Sequence, residues 1–277
     1  MQKKMIFAVL CCVCVALPIA AQTADPESMA LIPAGKFWMG RTFTIFLNSA
    51  DLLARDRMDD IPANHIYLNA FYIDKYEVTN AEYARFVEAK GIRPPWHWPQ
   101  GKIPGGQERF PASNVNWFEA SDYCKSIGKR LPTEAEWEKA VRGGLDRAHY
   151  SWGDDEIDRS EQMLLAPQDS GRTTNSPVPA AVGRIDAMTI GSFPPNSYGL
   201  HDMMGNVMEW TNDWYDYNYY PFMPKQNPQG PETGRYKSVR GTSWVTGGSS
   251  GAAHLNDFRT FSDPELRSTT IGFRCAR

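Results

Sequence analysis

The sequence lacks an excess of either charge, and this absence limits the partners that it can have. Its 29 lysine and arginine residues nearly balance 32 aspartate and glutamate residues, for a formal net charge of -3. Proteins that bind nucleic acid or anionic membrane surfaces normally carry a basic patch or stripe. Here charges of both signs are scattered along the chain. We therefore expect no nucleic-acid partner.

Long hydrophobic runs are also missing, except at the start of the chain. After a basic opening, residues 5–21 form an apolar run that is interrupted by Pro18 and ends in small residues. This pattern is typical of a secretory signal peptide cut near Ala21, and the run is short for a bilayer span. We predict a signal peptide at 1–21, a periplasmic or secreted location, and no stable membrane insertion.

No Ser/Gly-rich linker and no block of like charge divides residues 22–277. That length is long for one hydrophobic core but within the range of single domains. The simplest prediction is one domain over residues 22–277.

The stretch GLHDMMGNVMEW, from Gly199 to Trp210, fits neither the helical nor the strand period and is predicted to be a loop. Asp202 and Glu209 supply two carboxylates, and Gly205 breaks regular pairing so that its own carbonyl and that of Val207 can turn beside them. Oxygen ligands of this kind suit a structural calcium ion. An equally compatible interpretation is that Asp202 caps a turn and Glu209 forms a surface ion pair.

Several long motifs carry a family resemblance. They are LIPAGKFWMG (31–40), FYIDKYEVTNAEYARFV (71–87), GKRLPTEAEWEKAVRGG (128–144), GLHDMMGNVMEW followed by TNDWY (199–215), VRGTSW (239–244) and IGFRCAR (271–277). Their form and order resemble the formylglycine-generating enzyme family, also called sulfatase-modifying factors. The resemblance implies an α+β, loop-rich fold with low regular secondary structure and C-type-lectin-like topology.

Local signals predict the elements around these motifs. Pro33 and Gly35 suggest an entry strand and hairpin at residues 31–40. Capping boxes predict three helix starts, at Thr79 with Glu82, Asn116 with Glu119, and Thr133 with Glu136. The three glutamates of RLPTEAEWE are interpreted as architectural.

Two segments are candidates for substrate contacts. Residues 41–60 match no family motif and are interpreted as an insert that selects substrate or, more simply, as a peripheral helix at 51–57. In the loop 94–106, His97 lies between Trp96 and Trp98. His97 is interpreted as lying at the mouth of a ligand groove or, equally well, as part of a loop packed on the domain surface.

Two cysteines remain after signal removal, Cys124 and Cys275. An even count in an exported protein argues for a bridge. Both lie in motifs, YCxxxGKR and GFRC, where the family forms a disulfide, so the resemblance implies that they are paired.

A second pair of cysteines is absent. Family enzymes carry two cysteines after an RGGS(Y/W) motif that bind copper(I), and the matching positions here hold Thr246 and Gly251. Copper(I) prefers soft ligands, and without thiolates copper is not expected. Methionines and histidines of the same regions offer a weaker copper alternative, with no spacing that forces convergence. Met208 stands where the family prefers Trp, so the substrate pocket should differ in shape.

Two functions remain open. Cysteine-less exported members include periplasmic pyoverdine-tailoring proteins, so the resemblance allows oxidative tailoring of a peptide-like or small-molecule substrate. The candidate catalytic residues are Ser243, Trp244, His254, Asp257, Arg259 and Arg274, of which Arg259 is suited to hold a carboxylate bidentately. The alternative is a non-catalytic, calcium-stabilised binding or scaffold module of the cell envelope, with an envelope protein partner and an aromatic face between Trp210 and Trp244.

Overall fold

Short elements joined by long irregular segments make up this chain. The structure is a computed structural model that describes residues 27–42, 58–154, 187–245 and 255–277. The predicted signal peptide, the predicted helix at 51–57, and the positions of Thr246, Gly251 and His254 lie outside these residues. Within the described ranges, no helix has the length and apolar character needed to cross a membrane.

Two small antiparallel sheets form early in the described chain. Strand β1 (Met29–Ile32) pairs with β4 (Phe71–Asp74), and β2 (Gly35–Met39) pairs with β3 (Asn64–Leu68). Both predicted entry strands exist, but they do not pair with each other. The prediction of a hairpin at residues 31–40 is therefore wrong.

The connection between β1 and β2 is held by a side chain from elsewhere in the chain. Lys139 donates from Nζ to the carbonyl oxygens of Pro33 at 2.6 Å and Gly35 at 3.1 Å. Pro33 also has no N–H to offer a hairpin ladder. Pro33 and Gly35 do mark a turn, but they do not indicate which strands pair on either side of it. No local sequence pattern marks Lys139 as the residue that holds this turn.

A four-stranded sheet in the order β7, β6, β5, β8 forms from the later part of the chain. Its strands are β5 (Met208–Tyr215), β6 (Tyr236–Arg240), β7 (Thr260–Ser262) and β8 (Ile271–Gly272). Strand β5 runs antiparallel to β6 and parallel to β8. It is therefore an interior strand with neighbours on both edges.

Strand β5 corrects the prediction of a loop over residues 199–210. The loop ends at Val207, and the last three residues of the stretch begin β5. Glu209, Trp210 and Thr211 are buried in succession. A strand buried on both faces shows no polar and apolar alternation, which is why the period analysis missed it.

Three helices lie in the described residues: α1 (Asn80–Lys90), α2 (Trp117–Ser126) and α3 (Glu134–Val141). All three begin at the predicted capping boxes, with reciprocal bonds between the cap residue and a glutamate three residues later. Gly91 ends α1 in the left-handed conformation, at φ 61°.

Residues 275–277 connect β4 with α2. Cys275 forms the predicted disulfide with Cys124 of α2, across a Cα–Cα distance of 5.7 Å. The tail also lies along β4, because the N–H of Asp74 donates to the carbonyl of Cys275 (2.8 Å) and Tyr72 exchanges two backbone bonds with Arg277 (2.8 and 2.9 Å). The predicted α+β, loop-rich class is confirmed.

Candidate functional site

Arg259 lies inside the protein, although the sequence predicts it at a substrate groove. It is 1% exposed, and its guanidinium donates to both carboxylate oxygens of Glu134, at 2.7 and 3.0 Å. Its guanidinium carbon lies 4.8 Å from the ring centre of Tyr215 and 4.4 Å from that of Tyr220. The bidentate carboxylate partner expected for Arg259 exists, but it belongs to the protein itself.

Glu134 is part of a larger buried cluster of charges, called here the ionic core, which comprises Glu134, Glu138, Arg142, Arg240 and Arg259. Arg240 donates to Glu134 at 3.0 Å and to Glu138 at 2.9 Å, and Arg142 donates to Glu138 at 2.8 Å. These side chains are at most 4% exposed. Burial alone would raise the pKa of the Glu134 carboxyl, but Arg259 and Arg240 outweigh it and hold that pKa below its usual value.

The structural role predicted for the glutamates of RLPTEAEWE agrees with this geometry. Glu134 and Glu138 bind arginines of the ionic core, and Glu136 both caps α3 at Thr133 and pairs with Arg130 at 2.6 Å. Because their carboxylates are engaged in internal contacts, none of the three is placed as an acid or base for a substrate.

The other predicted catalytic residues divide by exposure. Ser243 is 4% exposed, Asp257 is 2% exposed, and Arg274 is fully buried. Trp244 is half-buried, and it is the least enclosed of the five candidates that the structure describes. The structure therefore brings one candidate, Trp244, towards the surface and places Arg259 and Arg274 in internal ion pairs.

In the central loop, Asp202 holds a neighbouring segment. Its backbone is left-handed, at φ 57°, and its carboxylate accepts the N–H groups of Gly191 and of Phe193, the latter at 3.0 Å. The interpretation of Asp202 as a turn-stabilising residue thus has a geometric basis. Asn tolerates this backbone region about as readily as Asp, which makes a conservative substitution possible.

Glu209, in β5 just after the loop, is 1% exposed and not on the surface. Its carboxylate accepts from the indole of Trp137 at 2.8 Å and pairs with Arg274 at 2.7 Å. Arg274 also donates to three backbone carbonyl oxygens. Both residues are thus fixed from several directions, and the ion pair predicted for Glu209 is a buried one.

A third carboxylate, Glu77, faces the same region. Asn206 donates to its Oε1 at 3.0 Å, while its Oε2 is buried and has no partner among the described residues. Burial raises the pKa of Glu77 well above its usual value, and the nearby carboxylate of Asp202 raises it further. Arg274, which pairs with Glu209, also acts to lower the pKa of Glu77 and of Asp202, so its charge is felt by all three acidic side chains.

This charge balance fits the predicted calcium site. Each carboxylate offers about four lone-pair positions. Asp202 accepts two backbone N–H groups and so has positions left for a cation, whereas both oxygens of Glu209 already accept two contacts each, which a cation would have to replace in part. In the described part of the chain, side chains alone do not assemble three metal ligands. A calcium ion here would need the backbone carbonyls of Gly205 and Val207 as well, as the sequence predicts. Calcium binding stays a prediction.

A surface cleft of about 260 Å³ lies close to Trp244. The indole of Trp244 donates to the carbonyl of Thr269 at 3.3 Å, and the carbonyl of Ser268 accepts the N–H of Asn114 at 2.8 Å. The cleft, called here the Trp96 cleft, is lined by Tyr83, Arg93, Pro94, Pro95, Trp96, Asn114, Val115, Glu119 and Arg267.

The loop 94–106 contributes Trp96 to this cleft. His97 does not line the cleft and instead contacts the side chain of Asn114, at 3.3 Å between Nδ1 and Nδ2. Sequence reasoning missed Asn114, Glu119 and Arg267. Their positions are far apart in the chain, and no local pattern unites them.

A second cavity, of about 350 Å³, lies beside the central loop. Trp152 and Phe193 line it, along with Leu200, Met203 and Met204. Trp152 shortly precedes and Phe193 shortly follows residues 155–186, which lie outside the described chain. We assign no ligand to this cavity.

A comparison with known protein families decides the identity of the fold. The model of the sulfatase-modifying factor enzyme 1-like domain matches residues 16–277. The chain belongs to this family.

Full-length relatives agree with the sulfatase-modifying factor assignment. The formylglycine-generating enzyme of Streptomyces coelicolor is 31% identical over 93% of this chain and 91% of its own length. The inactive C-alpha-formylglycine-generating enzyme 2 of Mus musculus is 29% identical over 91% of this chain and 86% of its own. The serine/threonine-protein kinase pkn1 of Chlamydia caviae is 31% identical over 94% of this chain, but the chain spans only 41% of the kinase.

Solved structures confirm the predicted fold. PvdO from Pseudomonas aeruginosa superposes with a TM-score of 0.64 at 26% identity, over 90% of this chain and 93% of PvdO. CarF superposes with a TM-score of 0.58 at 22% identity, over 90% of this chain and 97% of CarF. This sulfatase-modifying factor domain therefore has the fold of its family over the described length.

One departure from the family pattern falls within the described residues. Met208, at the position where the family prefers Trp, is half-buried and packs against the cluster that contains Tyr83 and Trp98. Tyr83 lines the Trp96 cleft. The substitution therefore changes the packing behind that cleft.

Proposed function

We propose that this protein is an exported maturation factor that oxidises a peptide-like substrate, and that it does not convert cysteine to formylglycine. The observation that carries the proposal is the combination of an intact family fold with Thr246 and Gly251 at the positions of the copper-binding cysteines. A protein with this scaffold but without thiolates has lost the soft ligands that copper(I) needs.

The likeness to PvdO supports a function outside formylglycine formation. It extends over nine-tenths of both chains, and the two share more sequence than this chain shares with CarF. A mouse protein that is similar to this chain over 86% of its own length is named an inactive C-alpha-formylglycine-generating enzyme, so sequence similarity of this extent does not require the formylglycine activity. The proposed class of reaction, an oxidation, is that of the pyoverdine-tailoring members named in the sequence analysis.

The proposed step removes two hydrogens from the substrate as two protons and two electrons. Dioxygen is the proposed electron acceptor and leaves as hydrogen peroxide, so the atoms and electrons balance. The substrate is proposed to lie across the Trp96 cleft towards Trp244, the one partly exposed candidate among the described residues. The aromatic and prolyl side chains there exclude water and orient the substrate.

Calcium would have a supporting role in this proposal. Asp202, Glu209 and the carbonyls of Gly205 and Val207 would hold it, and its charge would balance the acidic cluster that includes Glu77. Arg274, in the same cluster, links the loop to the C-terminal motif. The ion would therefore fix the loop between Gly199 and β5 without supplying redox chemistry.

Comparative mass spectrometry tests the proposed reaction. Extracts of the periplasm or medium from cells with and without the gene should differ in a peptide-like metabolite by two hydrogens, and the purified protein should convert the isolated precursor with release of hydrogen peroxide. A cysteine-containing sulfatase peptide serves as the control substrate and should stay unmodified. Formation of formylglycine in that peptide would refute the proposal.

Export is tested separately. The N-terminus of the secreted or periplasmic protein, determined by mass spectrometry, should begin near Gln22. A protein that retains residues 1–21 and stays in the cytoplasm would contradict this part of the proposal.

A binding or scaffold module is the second candidate function. It is favoured by the burial of Ser243, Asp257, Arg259 and Arg274, which leaves no described set of catalytic side chains open to a substrate. The aromatic face expected for such a module is smaller than predicted, since Trp210 and Tyr220 are fully buried. Co-purification of an envelope protein, with no metabolite change in the comparison above, would establish the module.

A further inference from the structure

Asn114 leaves an unmet hydrogen-bonding requirement at the Trp96 cleft. Asn114 lines the cleft and is only 1% exposed, yet its Oδ1 has no hydrogen-bond partner among the described residues. Its Nδ2 is directed to His97 and its backbone N–H to Ser268. A buried acceptor without a partner is costly, so this position favours a ligand that brings an N–H donor.

Trp96 supplies the apolar contact surface of the cleft. Its side chain is 66% exposed, which is unusual for a tryptophan, and it stands beside Pro94 and Pro95. Rigid prolyl and indole groups offer a large contact area at small entropic cost. A ligand with an aromatic or prolyl side chain can stack on this surface.

The charges of the cleft favour an anionic ligand. Glu119 and Arg267 neutralise each other through two bonds, at 2.7 and 3.2 Å. Arg93 is exposed and is in no ion pair with any residue of the described ranges. The cleft thus carries one uncompensated positive charge next to an unused acceptor.

We propose that the Trp96 cleft binds an extended acidic peptide segment. Arg93 pairs with an acidic side chain, Trp96 stacks on an aromatic or prolyl side chain, and Asn114 Oδ1 accepts a backbone N–H. At about 260 Å³ the cleft is smaller than typical small-molecule pockets, which suits one part of a longer chain. The proposal rests on the peptide-like substrate proposed above and adds its charge and the residues that recognise it.

Fluorescence anisotropy with defined peptides tests this recognition. The probe is a labelled octapeptide with alternating glutamate and tryptophan, and its matched control replaces every glutamate with lysine. The acidic peptide should bind at least about tenfold more tightly, and added salt should reduce the difference because the charges are at the surface. Free N-acetylglutamate should compete poorly, since it lacks the stacking group and the extended backbone.

Four variants assign the contacts. Trp96→Ala and Arg93→Glu should each weaken acidic-peptide binding about tenfold, and Asn114→Ala should weaken it about threefold to tenfold. Lys102→Glu makes the same charge change as Arg93→Glu at an exposed site of the same loop, outside the cleft lining. It should leave binding unchanged. Circular dichroism confirms that each variant is folded.

The outcomes separate this inference from the proposed function. Binding that depends on Arg93 and Trp96 supports the inference even if no oxidised product is ever found. Equal binding of the acidic and basic peptides, or the same loss in Lys102→Glu as in Arg93→Glu, would overturn it. Absence of binding by the folded protein at millimolar peptide would overturn it as well.

Discussion

Substitution of Glu134 by glutamine would measure how far the ionic core stabilises the fold. Glutamine keeps the size of the side chain and removes the charge that Arg240 and Arg259 share. Both arginine side chains are 0% exposed, so neither can turn towards water. Loss of one partner from a buried ion pair costs about 3–5 kcal/mol, because the remaining charge is left uncompensated.

Urea unfolding followed by circular dichroism is the appropriate assay. Since typical domains are stable by about 5–15 kcal/mol, Glu134→Gln should lower the unfolding midpoint by a large fraction. Asp122→Asn is the matched control, because it breaks an exposed pair with Lys125 whose side chains are 69% and 65% exposed. The control should change the free energy of unfolding by less than about 1 kcal/mol. Similar small effects of both substitutions would refute the assigned role of Glu134.

The same variant has a predicted pH signature. Arg259 and Arg240 outweigh burial and hold the pKa of Glu134 below 4.5, its ordinary value. A carboxyl with a lowered folded pKa contributes stability above its unfolded pKa, and this contribution is lost as the pH falls through the folded pKa. The free energy of unfolding should therefore fall in acid for the unmodified protein, and this component should be missing in Glu134→Gln.

Three further predictions concern the central loop and the disulfide. Calcium added to chelator-treated protein should stabilise it by about 2.7 kcal/mol at a hundredfold excess over Kd. Scanning calorimetry should show no such shift for Asp202→Asn, and an equal shift would remove Asp202 from the site. In the presence of chelator, the raised pKa of Glu77 means that stability is lost as the pH rises above 4.5 towards that pKa. Glu77→Gln should flatten this loss and be at least about 1 kcal/mol more stable at about pH 8 in urea unfolding, whereas a steeper loss would contradict the assignment. Replacing Cys124 and Cys275 together by serine should cost about 5 kcal/mol in the chain-entropy model, given their separation of 151 residues. Two free thiols in the denatured, unreduced mature protein would disprove the bridge.

Local sequence patterns predicted the structural features that depend on only a few neighbouring residues. The capping boxes at Thr79, Asn116 and Thr133 form between residues three positions apart, so their signal is complete within one short segment. The disulfide was predictable because only two cysteines remain outside residues 1–21. Neither inference required knowing how the rest of the chain folds.

The roles of the charged residues could not be derived in that way. Arg259 binds Glu134 across 125 residues, and an arginine in a sequence looks the same whether it faces a substrate or a buried glutamate. Burial decides between these roles, and burial follows from the whole fold. The cleft was partly predictable through Trp96, while Asn114 depends on a left-handed backbone, at φ 58°, that the sequence does not mark clearly.

The contact of the tail with β4 also has a consequence for biosynthesis. Asp74 leaves the ribosome about 200 residues before Cys275, the residue that accepts its N–H. Until then, one edge of β4 remains open, and an open edge is a template for pairing with a foreign strand. The nascent chain is therefore at risk of aggregation through this edge, and a chaperone that shields the edge would protect it.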